Sequence, residues 1–295
     1  MRRVDWDEYR DYVRRKGFVA VENVKIPVGM QREIKTYRPE EQRLETTTVW
    51  SFPERGSWAT HSGDYRGNWS PHIPRNLLLK YSKPGEWVLD QMAGSGTTLV
   101  EAKLLGRNAV GVDINYEAVI LAMDRLNFKV DGDEGEVKLY HGDARNLERV
   151  EDESIDLIAT HPPYWGVIKY TSELDGDLSA IKRLEDYLKE MGKVASESYR
   201  VLKAGRYCAV LIGDTRRHKH YVPLSYRVMQ LFLKAGFVLA EDIIKLQHNM
   251  KATRLKWRGE RFELYGFHKI AHEHLFVFRK PRDEAERLKL RKSVV

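Results

Sequence analysis

The residues Thr160-His161-Pro162-Pro163-Tyr164-Trp165 are those whose types and spacing point most directly to chemistry. They close an apolar run, Ile155 to Ala159, that reads as a strand. Proline lacks a backbone N–H and fixes φ, so Pro162-Pro163 makes a stiff, extended loop. Such a loop holds the Pro162 carbonyl and the His161 side chain in one orientation as hydrogen-bond acceptors. Two acceptors beside an aromatic face suit a planar base with an exocyclic amine: each takes one N–H, and the ring stacks on Tyr164 with Trp165 beside it. Read alone, the same residues also fit a rigid loop with core aromatics, so a second motif has to decide.

That motif lies upstream. Trp87-Val88-Leu89-Asp90 reads as a strand, followed by the turn Ala93-Gly94-Ser95-Gly96-Thr97-Thr98 and a helix from Leu99 to Leu105. A Gly-rich turn allows close backbone approach to a ligand at a helix N-terminus. A phosphate-binding loop needs Gly-Lys-Ser/Thr, and Gly96 is followed by Thr97. The dinucleotide fingerprint needs a third glycine, and position 99 is leucine. Asp113 closes the next strand, Ala109 to Asp113, where an acid binds ribose hydroxyls in nucleotide folds. Asp143, after the strand Val137 to Tyr140, is placed to accept from an adenine amine. Ile114 and Ala144 follow these two acids and join the candidate set. Ribose and adenine without a phosphate grip suggest S-adenosylmethionine.

The elements that must position these residues alternate along the chain. A helix follows from Glu117 to Asn127, the strand Ile155 to Ala159 ends in the Pro-Pro loop, and a long helical stretch runs from Ile181 to Lys203. Strand Tyr207 to Ile212, helix Leu224 to Ala235, a strand within Phe237 to Gln247, and strand Leu275 to Phe278 complete the pattern. Short strands alternating with helices predict a doubly wound α/β fold with a mostly parallel sheet. In such sheets ligands bind beyond the carboxyl ends of the strands, and Asp90, Asp113, Asp143 and His161 all sit at such ends. Upstream, Asp5 to Lys16 reads as a short amphipathic helix, Val19 to Val28 as a strand, and Arg75 to Tyr81 as a helix.

The chain has 295 residues, 42% hydrophobic and 32% charged, enough for a core beneath a highly charged surface. Its net charge of +7 favours an anionic partner, although a thermophile's charged surface accounts for it too. A single cysteine, Cys208, in an apolar strand excludes an intramolecular disulfide and any multi-cysteine metal site. The histidines at 218, 220, 268, 272 and 274 lack metal-site spacing, so no structural metal is expected. No long apolar segment or signal core is present, and a cytoplasmic protein is expected.

The segment Asp90-Gln91-Met92-Ala93-Gly94-Ser95-Gly96-Thr97-Thr98 resembles the Asp-Pro-Phe-x-Gly-Ser-Gly-Thr-Thr motif of the amino-methyltransferases that act on cytosine or adenine in DNA. His161-Pro162-Pro163-Tyr164 resembles their Ser/Asp-Pro-Pro-Tyr motif. Ser70 to Leu79, with His72, is similar to the segment that helps bind the methionine part of their cofactor. Ile212-Gly213-Asp214-Thr215-Arg216 and His272 to Phe278 resemble later family segments. Two departures stand out: Gln91-Met92 replaces Pro-Phe, and His161 stands where the family has Ser, Asp or Asn. The resemblance implies a Rossmann-like methyltransferase domain over residues 56–280, a small N-terminal extension over 1–55 that caps it or contacts substrate, and a basic tail over 281–295. S-adenosylmethionine is the implied cofactor.

The implied chemistry is methylation of an exocyclic amine in nucleic acid, with cytosine placed ahead of adenine. DNA and an unpaired ribosomal or transfer RNA base stand level as substrates. The target base must be flipped out or unpaired to reach the loop. Methylation at cytosine carbon-5 would need a nucleophilic cysteine, which Cys208 does not offer. Arg254, Lys256, Trp257 and Arg258 mix basic and aromatic side chains and are candidate nucleic-acid contacts. Two other readings remain: a protein side-chain amide methyltransferase, since similar enzymes carry Asn-Pro-Pro-Tyr at this loop, and a nucleic-acid-binding homologue inactivated by His161. Digesting methylated product to nucleosides or to amino acids separates the first, and absence of cofactor binding marks the second.

Overall fold

The computed structural model describes residues 1–293 except 22–23, 31–32, 41–43, 131, 133, 167–175 and 249–265. Its strands are β1 (Arg2–Val4), β2 (Phe18–Val21), β3 (Val24–Pro27), β4 (Val49–Ser51), β5 (Trp87–Asp90), β6 (Asn108–Asp113) and β7 (Val137–His141), then β8 (Ile155–Thr160), β9 (Leu202–Ile212), β10 (Thr215–Arg217), β11 (His220–Val222), β12 (Val238–Leu246) and β13 (His272–Arg279). Its helices are α1 (Trp6–Lys16), α2 (His72–Tyr81), α3 (Thr97–Leu104), α4 (Tyr116–Leu126), α5 (Leu184–Val201), α6 (Leu224–Lys234) and α7 (Glu284–Lys289).

The main sheet runs β1-β7-β6-β5-β8-β9-β13-β12-β4. Strands β7, β6, β5, β8 and β9 are parallel, whereas β13 is antiparallel to β9 and β12 to β13. The chain builds outward from β5 to β6 and β7, then returns to the other side through β8 and β9. The reversal falls between β5 and β8, which is where open α/β sheets bind ligands.

Strand β8 explains why this pair is central. All six of its residues are buried, as expected for a parallel strand covered on both faces. Ile158 packs with Tyr187 and Met191 of α5 and Phe232 of α6 on one face. On the other face, Leu157 joins the cluster of α3 and α4, and Ala159 joins Ile73 and Leu77 of α2. Helix α5 buries Tyr187, Met191, Val194, Ala195, Ser198 and Val201, a helical-period stripe facing the sheet.

Three elements differ from expectation. The stretch from Val19 to Val28 is a separate ribbon, with β2 antiparallel to β3 and Phe18 opposite Pro27. The helical stretch ends at Val201, and β9 begins at Leu202, where the backbone already pairs with Ile155 of β8. Residues 1–55 supply both outermost strands of the main sheet: β1 pairs with β7 and β4 with β12, burying Val4 and Trp50. Among the described residues no helix is long and apolar enough to cross a membrane.

A buried carboxylate fastens the segment before the sheet to the helices behind the glycine turn. Glu101 of α3 is fully buried and accepts from Trp58 Nε1 at 2.6 Å and Arg75 Nη1 at 2.9 Å, with His61 Nε2 at 2.8 Å. Removing one partner of such a cluster leaves the others desolvated and uncompensated. Glu101→Ala is therefore expected to lower unfolding free energy by about 3–5 kcal/mol, read as a reduced urea midpoint.

Candidate active site

A cleft opens at the carboxyl ends of β5, β6 and β8, where open α/β sheets bind ligands. Its walls include Asp90, Ala93, Gly94, Thr97, Asp113, Ile114, Asp143, Ala144, His161 and Pro163. The two motifs singled out in the sequence therefore face one cavity. Tyr65, Gly67, Asn68, Trp69, Asn115 and Asp177 also line it, and no spacing in the sequence marks them for the site.

Asp90 joins the motifs. Its Oδ2 accepts from the Thr98 hydroxyl at 2.5 Å, at the start of α3. Its Oδ1 accepts from the Thr160 hydroxyl at 3.1 Å, at the end of β8, and from the Met92 N–H at 3.2 Å. Burial pushes the Asp90 carboxyl up to about 6, against hydrogen bonds that favour its charged form. Behind the turn, Gly94 and Gly96 both have positive φ, 51° and 80°. A Cβ on Gly96 would lie 2.9 Å from Ala122 of α4, so no side chain fits there. Ser95 is buried beneath the turn and accepts from Arg125 Nη1 at 2.7 Å. Ser95, Gly96 and Thr98 thus shape the turn from behind, while Ala93, Gly94 and Thr97 face the cavity.

Asp113 faces the cleft with one oxygen bonded to the Gly94 N–H at 2.7 Å and the other to the Asn115 N–H at 2.8 Å. Each oxygen keeps a lone pair for a ligand hydroxyl. Burial pushes this carboxyl also up to about 6. Asp143 is engaged by Arg145, whose Nε lies 2.9 Å from both carboxylate oxygens, and Arg145 also bonds Glu190 and the Gly176 carbonyl. Asp177 is buried and bonds the N–H and hydroxyl of Ser179. Four aspartates line one cavity in a chain of net charge +7; with Asp143 matched by Arg145, Asp90, Asp113 and Asp177 still favour a ligand carrying positive charge. Among the described residues the Thr97 hydroxyl and the Asn115 Nδ2 group are buried on the cleft wall without a protein partner, so a polar ligand can satisfy them.

His161 sits between two rings. Trp69 stacks on it at 5.7 Å and 19°, and Tyr164 meets it edge-on at 5.3 Å. Its Nε2 lies 2.8 Å from the Tyr164 hydroxyl, which donates to Glu273 Oε1 at 2.7 Å; Lys245 Nζ donates to Glu273 Oε2 at 3.0 Å. Tyrosine has one proton, and here it goes to the carboxylate. The neutral imidazole has one proton for two facing acceptors, the Tyr164 hydroxyl oxygen and the Gly67 backbone, and its other nitrogen keeps a lone pair. Burial lowers the His161 pKa to about 4, while Glu273 and a hydrogen bond to the Gly67 backbone act the other way. The Tyr187 hydroxyl donates to the Pro163 carbonyl at 2.8 Å, fixing the loop to α5.

Several expected positions fall elsewhere. Tyr164 is turned from the cavity: its ring lies against the Gly213 backbone, where a Cβ would be 2.7 Å away. The aromatic residues on the cleft wall are Tyr65 and Trp69. Pro162 is buried, and Trp165 faces the Arg217 guanidinium at 4.9 Å. His72 does not line the cavity, because it opens α2 stacked on Phe52 at 5.0 Å and edge-on to Trp58. Arg254, Lys256, Trp257 and Arg258 lie outside the described residues. Glu273 belongs to a segment matched to the family, yet no sequence spacing marks its contact with Tyr164.

A family model described as DNA methylase matches residues 12–124 and 155–293. A second, for an RMKL-like methyltransferase domain, matches residues 77–201. A Type II beta methyltransferase, M.BslI, from a Bacillus strain is 29% identical over 157 residues, 50% of this chain and 16% of its own length. A tRNA (guanine(10)-N2)-dimethyltransferase from Methanothermobacter thermautotrophicus is 36% identical over 101 residues, 34% of this chain and 29% of its own length. The chain thus spans less than a third of either relative. The crystal structure of a SAM-dependent methyltransferase from Methanosarcina mazei shares the fold, with a TM-score of 0.50 and 15% identity over 70% of this chain and 98% of that one.

Hydroxyl donors favour the charged form of a carboxylate, so affinity for a ligand whose hydroxyls reach Asp113 should fall as pH drops through about 6, by up to roughly tenfold per pH unit. Calorimetry with S-adenosylhomocysteine between neutral and mildly acid pH measures this, and Asp113→Asn should weaken binding and flatten the pH dependence.

Proposed function

The chain belongs to the DNA methylase family, and from that premise we propose that it methylates the exocyclic amine of an unpaired or flipped base in nucleic acid. S-adenosylmethionine is the family's cofactor, and when bound it supplies an electrophilic sulfonium methyl. The observation that carries the reading is that His161 and Pro163 share a cleft wall with Asp113 and the glycine turn, so cofactor and acceptor groups serve one cavity.

The chain's own residues then have distinct tasks. Asp113 binds ribose hydroxyls. Thr97 and Asn115 offer polar groups to the cofactor from the cleft wall. The acidic wall suits a ligand with a sulfonium and an ammonium group. The Pro162 carbonyl and the His161 ring accept the two N–H bonds of the base amine, drawing the nitrogen toward a geometry in which its lone pair is free to react. The neutral His161 ring takes the proton that the amine loses after methylation. Tyr164 and Glu273 hold the ring in place. Trp69 and Trp165 are the aromatic surfaces nearest the loop for the base.

The family description favours DNA, and the tRNA-modifying relative keeps RNA in view. Cytosine stands ahead of adenine, with the 2-amino group of guanine raised by that relative's name. Mass spectrometry of nucleosides from DNA and RNA of cells with and without the gene tests the reading: one N-methylated nucleoside should vanish with the gene. If methyl label appears on amino acids alone, the amide-methyltransferase alternative replaces this one.

His161→Ala should lower kcat roughly 10²-fold or more, in line with loss of a general base, with little change in cofactor affinity. Because the neutral ring is the base, kcat should be flat above pH 5 and fall as pH drops through about 4. Glu273→Gln reverses the donor at Tyr164 and removes the facing charge. It should lower kcat roughly tenfold and shift that acid limb, with KM for the cofactor unchanged, as steady-state pH profiles would record.

A further inference from the structure

Beyond Ile212 the chain turns back on itself as β10 and β11, an antiparallel ribbon with Thr215 opposite Val222 and Arg217 opposite His220. Its end reads Arg216-Arg217-His218-Lys219-His220, five consecutive cationic or protonatable side chains. His218 and Lys219 form the two-residue turn with φ of 50° and 67°. This left-handed turn matches the twist of a ribbon, but non-glycine residues are uncommon in it. Residues 217–220 are exposed.

Among the described residues these side chains meet backbone carbonyls and aromatic rings rather than carboxylates. Arg216 donates to the carbonyls of Lys219 and His268, and Arg217 to those of Arg216 and Gly166. Among the described residues neither arginine, nor Lys219, pairs with a carboxylate. By contrast, three arginines elsewhere each meet two carboxylates: Arg145 with Asp143 and Glu190, Arg200 with Glu197 and Asp152, Arg206 with Glu86 and Asp156. The base of the ribbon is held firmly, since Asp214 accepts from the Ser225 N–H and hydroxyl and from the Tyr221 hydroxyl.

The ribbon also touches the Pro-Pro loop. Arg217 Nη2 donates to the Gly166 carbonyl at 3.0 Å, and its guanidinium lies 4.9 Å from the centre of the Trp165 ring. The Gly213 backbone, just before the ribbon, supports the Tyr164 ring. We propose that the ribbon tip, through Arg217 and Lys219, grips the phosphodiester backbone flanking the base that enters the cleft; this rests on the nucleic-acid reading above. Uncompensated arginine and lysine beside an indole is the arrangement that binds single strands, phosphates to the cations and a base to the ring.

The test is fluorescence anisotropy of labelled single-stranded DNA and RNA of mixed sequence, across a salt series. It compares wild type with Arg217→Gln/Lys219→Gln, Lys219→Gln alone, and a control, Lys289→Gln/Lys292→Gln, in the C-terminal segment. The ribbon double variant should lose about 1.4 from the slope of log K against log salt, at roughly 0.7 per phosphate contact. Lys219→Gln alone should lose about half of that, and the control nothing. Calorimetry with S-adenosylhomocysteine should give wild-type cofactor affinity for all. An unchanged slope in the ribbon variants, an equal loss in the control, or no wild-type binding to either probe overturns the proposal. Methylated nucleosides that depend on the gene, together with an unchanged slope, would refute the ribbon alone; absence of any methylated nucleoside would refute the reading beneath it.

Discussion

The buried Asp90 carboxylate is the constraint on which the rest depends. Three groups from three directions meet on it: the Thr98 hydroxyl at the start of α3, the Met92 N–H within the glycine turn, and the Thr160 hydroxyl at the end of β8. A buried carboxylate is costly unless its oxygens are satisfied. This one is satisfied only when the turn, the helix and the strand before the Pro-Pro loop are all in register. The same bonds therefore define the cleft's floor and set the distance between its two halves.

Around that floor the cavity and the outer surface carry opposite charge. A chain of net charge +7 places Asp90, Asp113, Asp143 and Asp177 around one cleft, while Arg216, Arg217 and Lys219 meet no carboxylate among the described residues, on a ribbon that touches the Pro-Pro loop through Arg217. An acidic interior suits a cationic cofactor, and a basic rim suits a polyanion; the boundary between them is the His161 loop. Histidine at this position brings a ring that needs orientation, which a serine or aspartate does not. The structure supplies it through Trp69 on one face and the chain of Tyr164, Glu273 and Lys245 on the other. Burial keeps the ring neutral near neutral pH, the state in which it can accept a proton.

Much of this was legible in the sequence because it is local. Apolar runs ending in acids located β5, β6, β7 and β8 and put Asp90, Asp113 and Asp143 at their carboxyl ends, and the glycine turn and the Pro-Pro loop each follow directly from backbone chemistry. What was not legible is what depends on contacts between distant residues. Glu273 meets Tyr164 only because β13 inserts beside β9. Trp69 reaches the cleft because α2 packs against β8, which turns His72 away into Phe52 and Trp58. The first strands join the main sheet at opposite edges, and three-residue edge strands carry too little periodicity to announce their partners.

The most direct test of the central claim is a crystal structure with S-adenosylhomocysteine bound. The account predicts ribose hydroxyls within hydrogen-bond distance of both Asp113 oxygens, the glycine turn against the ligand backbone, and the sulfur facing His161 and Pro163. A ligand seated away from Asp113, or with its sulfur directed away from the Pro-Pro loop, would contradict it.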